Sequence, residues 1–384
     1  VLVVTHRQLG AVCEGLAAAG AFALDTEFNQ ERTYRTRLGI VQVATPEIEA
    51  IIDPGAVGDL TPLIQLFADP TIQKVVHAGQ NDFAVFYERS GVTPKNLFDS
   101  QLAAEFAGFG HAPSLKVLAK ATVGVDLDKS VRRTDWTARP LTHEQLAYAI
   151  EDVRHLLPIR DVLTEKLSEL GRWAWVEEEV AGLECEAAYR RRDGAEAYLR
   201  IRVSGERDPQ FLGRLRALAA WRESIADADD VPPRFVLNDA CVEALARRWP
   251  RRVAELTGVA CLGSTKRREY GDAIVRALRE GHATPVNPAS DHDGDEASRI
   301  VRDAFIGRGI ALVQSAAERL GLPAHRVAKT EDVRALYCAR GTAGVDAVRV
   351  MRGWRRAVVG DALLADLSEG EASPNATASG AGDR

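Results

Sequence analysis

The sequence predicts a mixed α/β domain, a mixed sheet flanked by helices, followed by an all-helical region. Short β-prone apolar runs come first at the spacing of a meander, then alternate with amphipathic helical stretches up to about residue 170. From about residue 174 onward no stretch reads convincingly as a strand, whereas helical periodicity recurs. At 384 residues the chain is also too long for one ordinary core, which implies two or three domains.

Residues 7–20 (RQLGAVCEGLAAAG) read as a helix that Gly20 stops. FALDTEF (22–28) reads as a buried strand, and RLGIVQVA (37–44) and EAIID (49–53) as the next two strands of an antiparallel meander. A helix over 59–68, a short strand KVVH (74–77) and an amphipathic helix NDFAVFYERS (81–90) follow. A last short strand lies around 97–98, with Asp99 as N-cap of a helix over 100–107. Further helices are expected near 114–121 and over 142–168, the latter opened by a capping box of Thr142 and Gln145. The first domain therefore spans 1–170.

In the helical region the periodic stretches are 211–228, 239–248 and 266–280, with Pro232 and Pro233 separating the first two. ATPVNPASDHDGDEA (283–297) reads as an exposed linker. A second helical set runs from about 300 to 367, and the small polar tail 368–384 reads as disordered.

Composition narrows the class. Apolar residues make up 46% and charged residues 27%, as in soluble globular proteins. The five cysteines are scattered with no C-x-x-C pair, which argues against a structural zinc site or a disulfide framework and favours a reducing cytoplasm. No apolar run has the length of a bilayer span and no signal segment opens the chain, so no membrane is expected as partner. A net charge of −6 does not advertise a nucleic-acid binder. Basic residues nevertheless cluster locally, at 190–192, 247–252, 266–268 and 352–356. An acidic total also suits a nuclease whose active site is built from carboxylates.

The chemistry centres on FALDTEF. Alternation along a strand aims Asp25 and Glu27 at one point from within an apolar segment. Buried ionised carboxylates need a cation or a basic partner. Asp82 stands just past a buried strand, in the first turn of a helix, where the helix dipole also favours an acid. Tyr148 and Asp152, four residues apart, share one helix face, and Asp152 alternates with apolar Leu146, Ile150, Val153 and Leu156. Four carboxylates on three elements can hold two hard divalent cations through oxygen ligands. Such ions, about 4 Å apart, clamp the attacking and leaving oxygens of a phosphoryl displacement. The Tyr148 phenol suits positioning a water better than acting as base.

The order D-x-E, an Asp after H-A-G, then Y-x-x-x-D resembles the tyrosine-bearing subclass of the DEDD 3′→5′ exonucleases. RTYRTRLGIVQ (32–42), HAGQND (77–82) and LDKSVRRTDWTARPL (127–141) are similar to the ribonuclease D family, and 208–282 resembles an HRDC domain through AWRES, DVPPRFVLND and Tyr270-Gly271. The resemblance implies a ribonuclease H-like exonuclease domain at 1–170, an HRDC domain at 208–282 and a second, diverged HRDC-like domain at 303–367. It implies Asp25, Glu27, Asp82 and Asp152 as ligands of two divalent cations, Mg²⁺ or Mn²⁺, and Tyr148 as the water-positioning residue. The implied substrate is RNA with a free 3′ end, such as tRNA precursors, shortened to nucleoside 5′-monophosphates with no obligatory protein partner. Asn81 departs from the family, where an acid is expected, and this bears on hydrogen bonding around the ligands.

Phe83 is a candidate to stack on the terminal base, and Lys129, Arg133 and Arg139, with Arg132, crowd a loop that could hold substrate phosphates. Trp136 and Pro140 in that loop read as structural plugs. Two alternatives stand beside the exoribonuclease: the same chemistry on DNA, and a non-catalytic RNA-binding scaffold. No G-x-x-x-x-G-K-[ST] loop is present, which excludes a helicase.

Overall fold

The structure, a computed structural model, describes residues 1–29, 32–127, 134–191, 193–205, 208–287 and 296–372. Its sheet combines β1 (Leu2–Val3), β2 (Ala21–Asn29), β3 (Arg37–Ala44), β4 (Glu49–Ile52), β5 (Gln73–Val76) and β6 (Leu97–Asp99) in the order β1-β4-β3-β2-β5-β6. β2, β3 and β4 form the antiparallel meander; β5 and β6 add in parallel beyond β2, and β1 pairs in parallel with β4. Eight helices complete the catalytic half: α1 (His6–Ala19), α2 (Pro54–Val57), α3 (Thr61–Ala68), α4 (Gln80–Ser90), α5 (Ser100–Phe106), α6 (Leu115–Val123), α7 (His143–Arg154) and α8 (Leu156–Glu169).

Local signals set the ends of these helices. Gly20 closes α1 in the left-handed conformation, where a side chain would be strained. The Asp99 carboxylate caps α5, accepting from the backbone N–H groups of Gln101 and Leu102. Thr142 and Gln145 form the expected capping box on α7. The single helix expected over 142–168 is instead two, α7 and α8, which meet at His155. β1 was not expected, being only two residues long.

The two sheet faces differ. Phe22 and Leu24 of β2 enter a large core with Leu9, Leu16, Phe67, Phe86, Phe106 and Leu163. Full burial of each such side chain is worth about 1.5–3 kcal/mol. The opposite face carries a small cluster, Ile40, Ile51, Trp136, Tyr148 and Ala149, which seats α7 on the sheet. Gly39 permits this: a Cβ there would lie 2.7 Å from the Trp136 Cβ and 3.0 Å from the Glu27 carbonyl oxygen.

Helix α9 (Trp173–Leu183), unassigned from sequence, extends this half. The next unit comprises α10 (Pro209–Ala228), α11 (Pro233–Val236), α12 (Asp239–Arg248) and α13 (Ser264–Ala283), with its own core around Phe211, Leu215, Val242 and Ile274. Cys241 and Cys261 of this unit form a disulfide, although the scattered cysteines argue against a disulfide framework. Cysteines 20 residues apart carry no pairing signal in sequence, and the fold brings their Cα atoms to 5.5 Å.

The last unit repeats that order. A long helix α14 (Glu296–Leu320), a single turn α15 (Ala324–Val327) and a ten-residue helix α16 (Thr330–Ala339) precede α17 (Gly353–Arg355) and α18 (Asp361–Ala372). α18 carries helix five residues into the segment expected to be a disordered tail; 373–384 lie outside the described residues. Unlike the middle unit, this one shares the core of the catalytic half, through Phe305, Val333, Trp354 and Leu363. Trp354 stacks on Trp175 at 4.6 Å, and buried Arg355 pairs with Glu179 at 2.6 Å.

Candidate active site

β2 presents Asp25 and Glu27 on the face that α7 covers, and α7 presents Asp152 one turn after Tyr148. Ligand oxygens of Asp25, Glu27 and Asp152 all lie within 4.8 Å of one another. Asp82, buried in the first turn of α4, stands outside this triad; its carboxylate accepts a short hydrogen bond from the Thr26 hydroxyl.

Such crowding has an electrostatic consequence. Desolvation, followed by the charges of Asp82, Asp152 and Glu27, raises the Asp25 pKa well above the carboxylate range. Burial pushes Asp82 up to about 7, against the opposing hydrogen bond from Thr26. The charges that act most strongly on Asp25 are those of other carboxylates. Close carboxylates fit hard divalent cations, whose charge offsets both desolvation and mutual repulsion. Tyr148 is buried, hydrogen-bonded to Asp152 and surrounded by acids, and its phenol is raised further still. It stays protonated at neutral pH and is a donor.

The remaining sequence candidates are placed differently. Phe83 is 1% exposed and packs edge-on against Phe67 and Tyr189, so it is a core residue, not a base-stacking one. Its place directly after Asp82 on α4 turns it into the main core. Arg139 donates to Asp53 at 2.5 Å and to the carbonyls of Trp136, Ala138 and Gly39. Its donors clamp the Trp136 loop onto the sheet, which corrects the expected phosphate contact. Lys129, Arg132 and Arg133 lie outside the described residues. His77 is half-buried and bonds to Ser100.

Sequence reasoning missed Gln42. It pairs with Asp25 across the β2–β3 ladder and is fully buried, yet neither amide atom has a hydrogen-bond partner among the described residues. The signal was available, since a glutamine inside the apolar run GIVQVA is anomalous.

A carboxylate cluster between a D-x-E strand and a Tyr/Asp helix, on this mixed sheet, defines a 3′→5′ exonuclease. A family model described as 3′-5′ exonuclease matches residues 1–168, and the HRDC domain model matches residues 211–278. Ribonuclease D of Sphingobium indicum is 34% identical over 384 residues, covering 96% of this chain and 94% of its own. Ribonuclease D of Acidiphilium cryptum is 35% identical over 373 residues, covering 95% and 92%. The crystal structure of Escherichia coli RNase D, an exoribonuclease involved in structured RNA processing, matches with a TM-score of 0.83 at 28% identity, over 96% of this chain and 98% of that one. The chain belongs to the ribonuclease D family of 3′→5′ exoribonucleases.

Proposed function

We propose that the protein removes nucleotides one at a time from the 3′ end of RNA, releasing nucleoside 5′-monophosphates with the help of two divalent cations. The observation that carries this is the mutual approach of Asp25, Glu27 and Asp152 to within 4.8 Å, with buried Asp82 charge-coupled to Asp25. These four carboxylates would hold the ions, Mg²⁺ or Mn²⁺. Bound there, such ions lower the pKa of a water and neutralise charge on the leaving oxygen.

The chain's own groups do the rest. Asp25 and Glu27 are fixed by the β2–β3 ladder, and Asp152 by the seating of α7 on the sheet. Thr26 anchors Asp82 through its hydroxyl. The protonated Tyr148 hydroxyl, hydrogen-bonded to Asp152, orients the attacking water without taking its proton.

The relative of known structure is described as acting on structured RNA, which supports structured RNA such as tRNA precursors as substrate. No helix of the described residues is long and apolar enough to cross a membrane, in keeping with a cytoplasmic enzyme. The order of long helix, single turn after a proline, ten-residue helix and further helix occurs in both 209–283 and 296–372, which supports reading 303–367 as a second HRDC-like domain.

The test uses a 5′-labelled single-stranded RNA and its DNA counterpart, each with Mg²⁺ or with chelator. Shortening of RNA from the 3′ end, abolished by chelator, is the expected result. Equal shortening of DNA would transfer the assignment to a DNA exonuclease. Binding without shortening would leave a scaffold.

A further inference from the structure

A groove of about 610 Å³ runs along α4. At one end it is lined by Phe28 and Asn81, which follow Glu27 and precede Asp82 in the chain. From there it follows α4 outward to Arg89, eight residues on, a distance of roughly 12 Å at the helical rise. The groove is therefore longer than the terminal nucleotide alone requires.

The facing wall belongs only in part to the catalytic domain. Tyr34 comes from the loop after β2, whereas Tyr189 and Arg191 come from the segment that connects α9 to the HRDC domain. The Arg191 guanidinium lies 4.0 Å from the Tyr34 ring centroid and reaches Glu88 of α4 at 3.4 Å and Asp227 of α10 at 3.7 Å. The Tyr34 hydroxyl donates to Glu223 of α10 at 3.0 Å, and Asp230 accepts from the Tyr34 and Arg35 backbone N–H groups. Thus the HRDC domain holds the Tyr34 loop in place, and Arg191 bridges both walls.

Three features point to one ligand. An aromatic ring backed by a guanidinium on a groove wall is a platform for an unpaired base. Arg89, exposed at the outer end, has no partner among the described residues and is available to a phosphate. The Tyr189 hydroxyl is buried without a hydrogen-bond partner among the described residues, on a residue 7% exposed that lines the groove.

We propose that this groove binds the single-stranded segment immediately upstream of the 3′-terminal nucleotide, with Tyr34 as stacking platform, Arg191 as its brace and Arg89 as a phosphate contact. The inference rests on the exoribonuclease reading and extends it. The connecting segment and HRDC domain, not the catalytic core alone, then require the 3′ end to be unpaired.

The test measures the full-length protein in two ways. Binding of a fluorescent single-stranded oligoribonucleotide is followed by anisotropy with chelator present, and hydrolysis of the same oligomer and of a dinucleotide is followed with Mg²⁺. Tyr34→Ala and Arg191→Ala are expected to weaken oligomer binding and raise its KM about ten-fold, with a much smaller change on the dinucleotide. Tyr34→Phe keeps the ring and is expected to stay near wild type. Equal losses on both substrates, or a Tyr34→Phe variant as poor as Tyr34→Ala, would overturn the proposal in favour of simple anchoring by Glu223. Unchanged oligomer binding in both alanine variants would overturn it outright. Because binding is read without hydrolysis, a failure of the exoribonuclease reading shows separately, as wild-type protein that binds but does not cleave.

Discussion

At the residue scale, the carboxylate cluster ties metal binding to protons. Asp82 has a folded-state pKa of about 7, above the roughly 3.9 of an unfolded aspartate, so its favourable contribution is complete only below that lower value. It is lost as pH rises towards and through 7, where the carboxylate must ionise in a buried site. Cation binding opposes that loss and releases protons. The rise in Tm produced by Mg²⁺ or Mn²⁺ is therefore expected to be larger at pH 8 than at pH 6, measured by scanning calorimetry; a larger rise at pH 6 would contradict the reading. Asp25→Asn is expected to abolish hydrolysis, whereas Tyr148→Phe leaves cation binding intact and slows turnover by about 10²–10⁴-fold. Gln42 provides an independent check, because its amide is buried, on the residue paired with Asp25, without partners among the described residues. Gln42→Leu is expected to stabilise the cation-free fold by about 1 kcal/mol, read from denaturant midpoints. D-x-E, Asp82 and Y-x-x-x-D were all legible in sequence because each departs from the apolar pattern around it. The fate of Phe83 was not, since a ring can turn to a cleft or a core with the same sequence neighbours.

At the scale of elements, α7 decides whether the site is assembled. It carries both Tyr148 and Asp152, and it is held by its capping box and by the cluster of Ile40, Trp136 and Ala149. Thr142→Ala is expected to cost about 1 kcal/mol. Gly39→Ala would force the Trp136 loop away from β3, at about 1–3 kcal/mol, and displace α7 with it. Activity in Gly39→Ala should fall more than stability alone accounts for, when compared below both melting temperatures. β2, β3, α1 and the start of α7 could be read locally because periodicity and caps agreed with one another. β1 is too short to show a period, and α9 gains its reason to exist from contacts over 170 residues away.

Across the whole molecule, the two helical units attach in different ways. The middle unit has a separate core and meets the catalytic half through polar contacts, such as Arg35 with Asp227 and Arg37 with Asp230. The last unit shares the main core and is locked by Arg355, 1% exposed, which donates to the Arg326 carbonyl and pairs with Glu179. Buried Glu105 adds to the lock by accepting from Arg326 and from the Ala112 backbone N–H. Arg355→Ala removes the nearest of three arginines around Glu179, which keeps Arg326 and Arg349, and is expected to destabilise the protein by about 1.5–3 kcal/mol, visible in thermal melts. Equal substitutions among the exposed pairs of the middle unit should cost no more than about 1 kcal/mol.

By itself the sequence determined the fold class, the strand that carries the acids, the helix that answers it and the family to which the chain belongs. Those properties reside in short-range periodicity and in residue types whose spacing is local. Only the tertiary structure decided that Arg139 clamps a loop, that Cys241 meets Cys261, and that the connecting segment walls a groove along α4. Each of these depends on which distant surfaces come into contact, and burial and hydrogen-bond partners are settled by that contact rather than by neighbours along the chain.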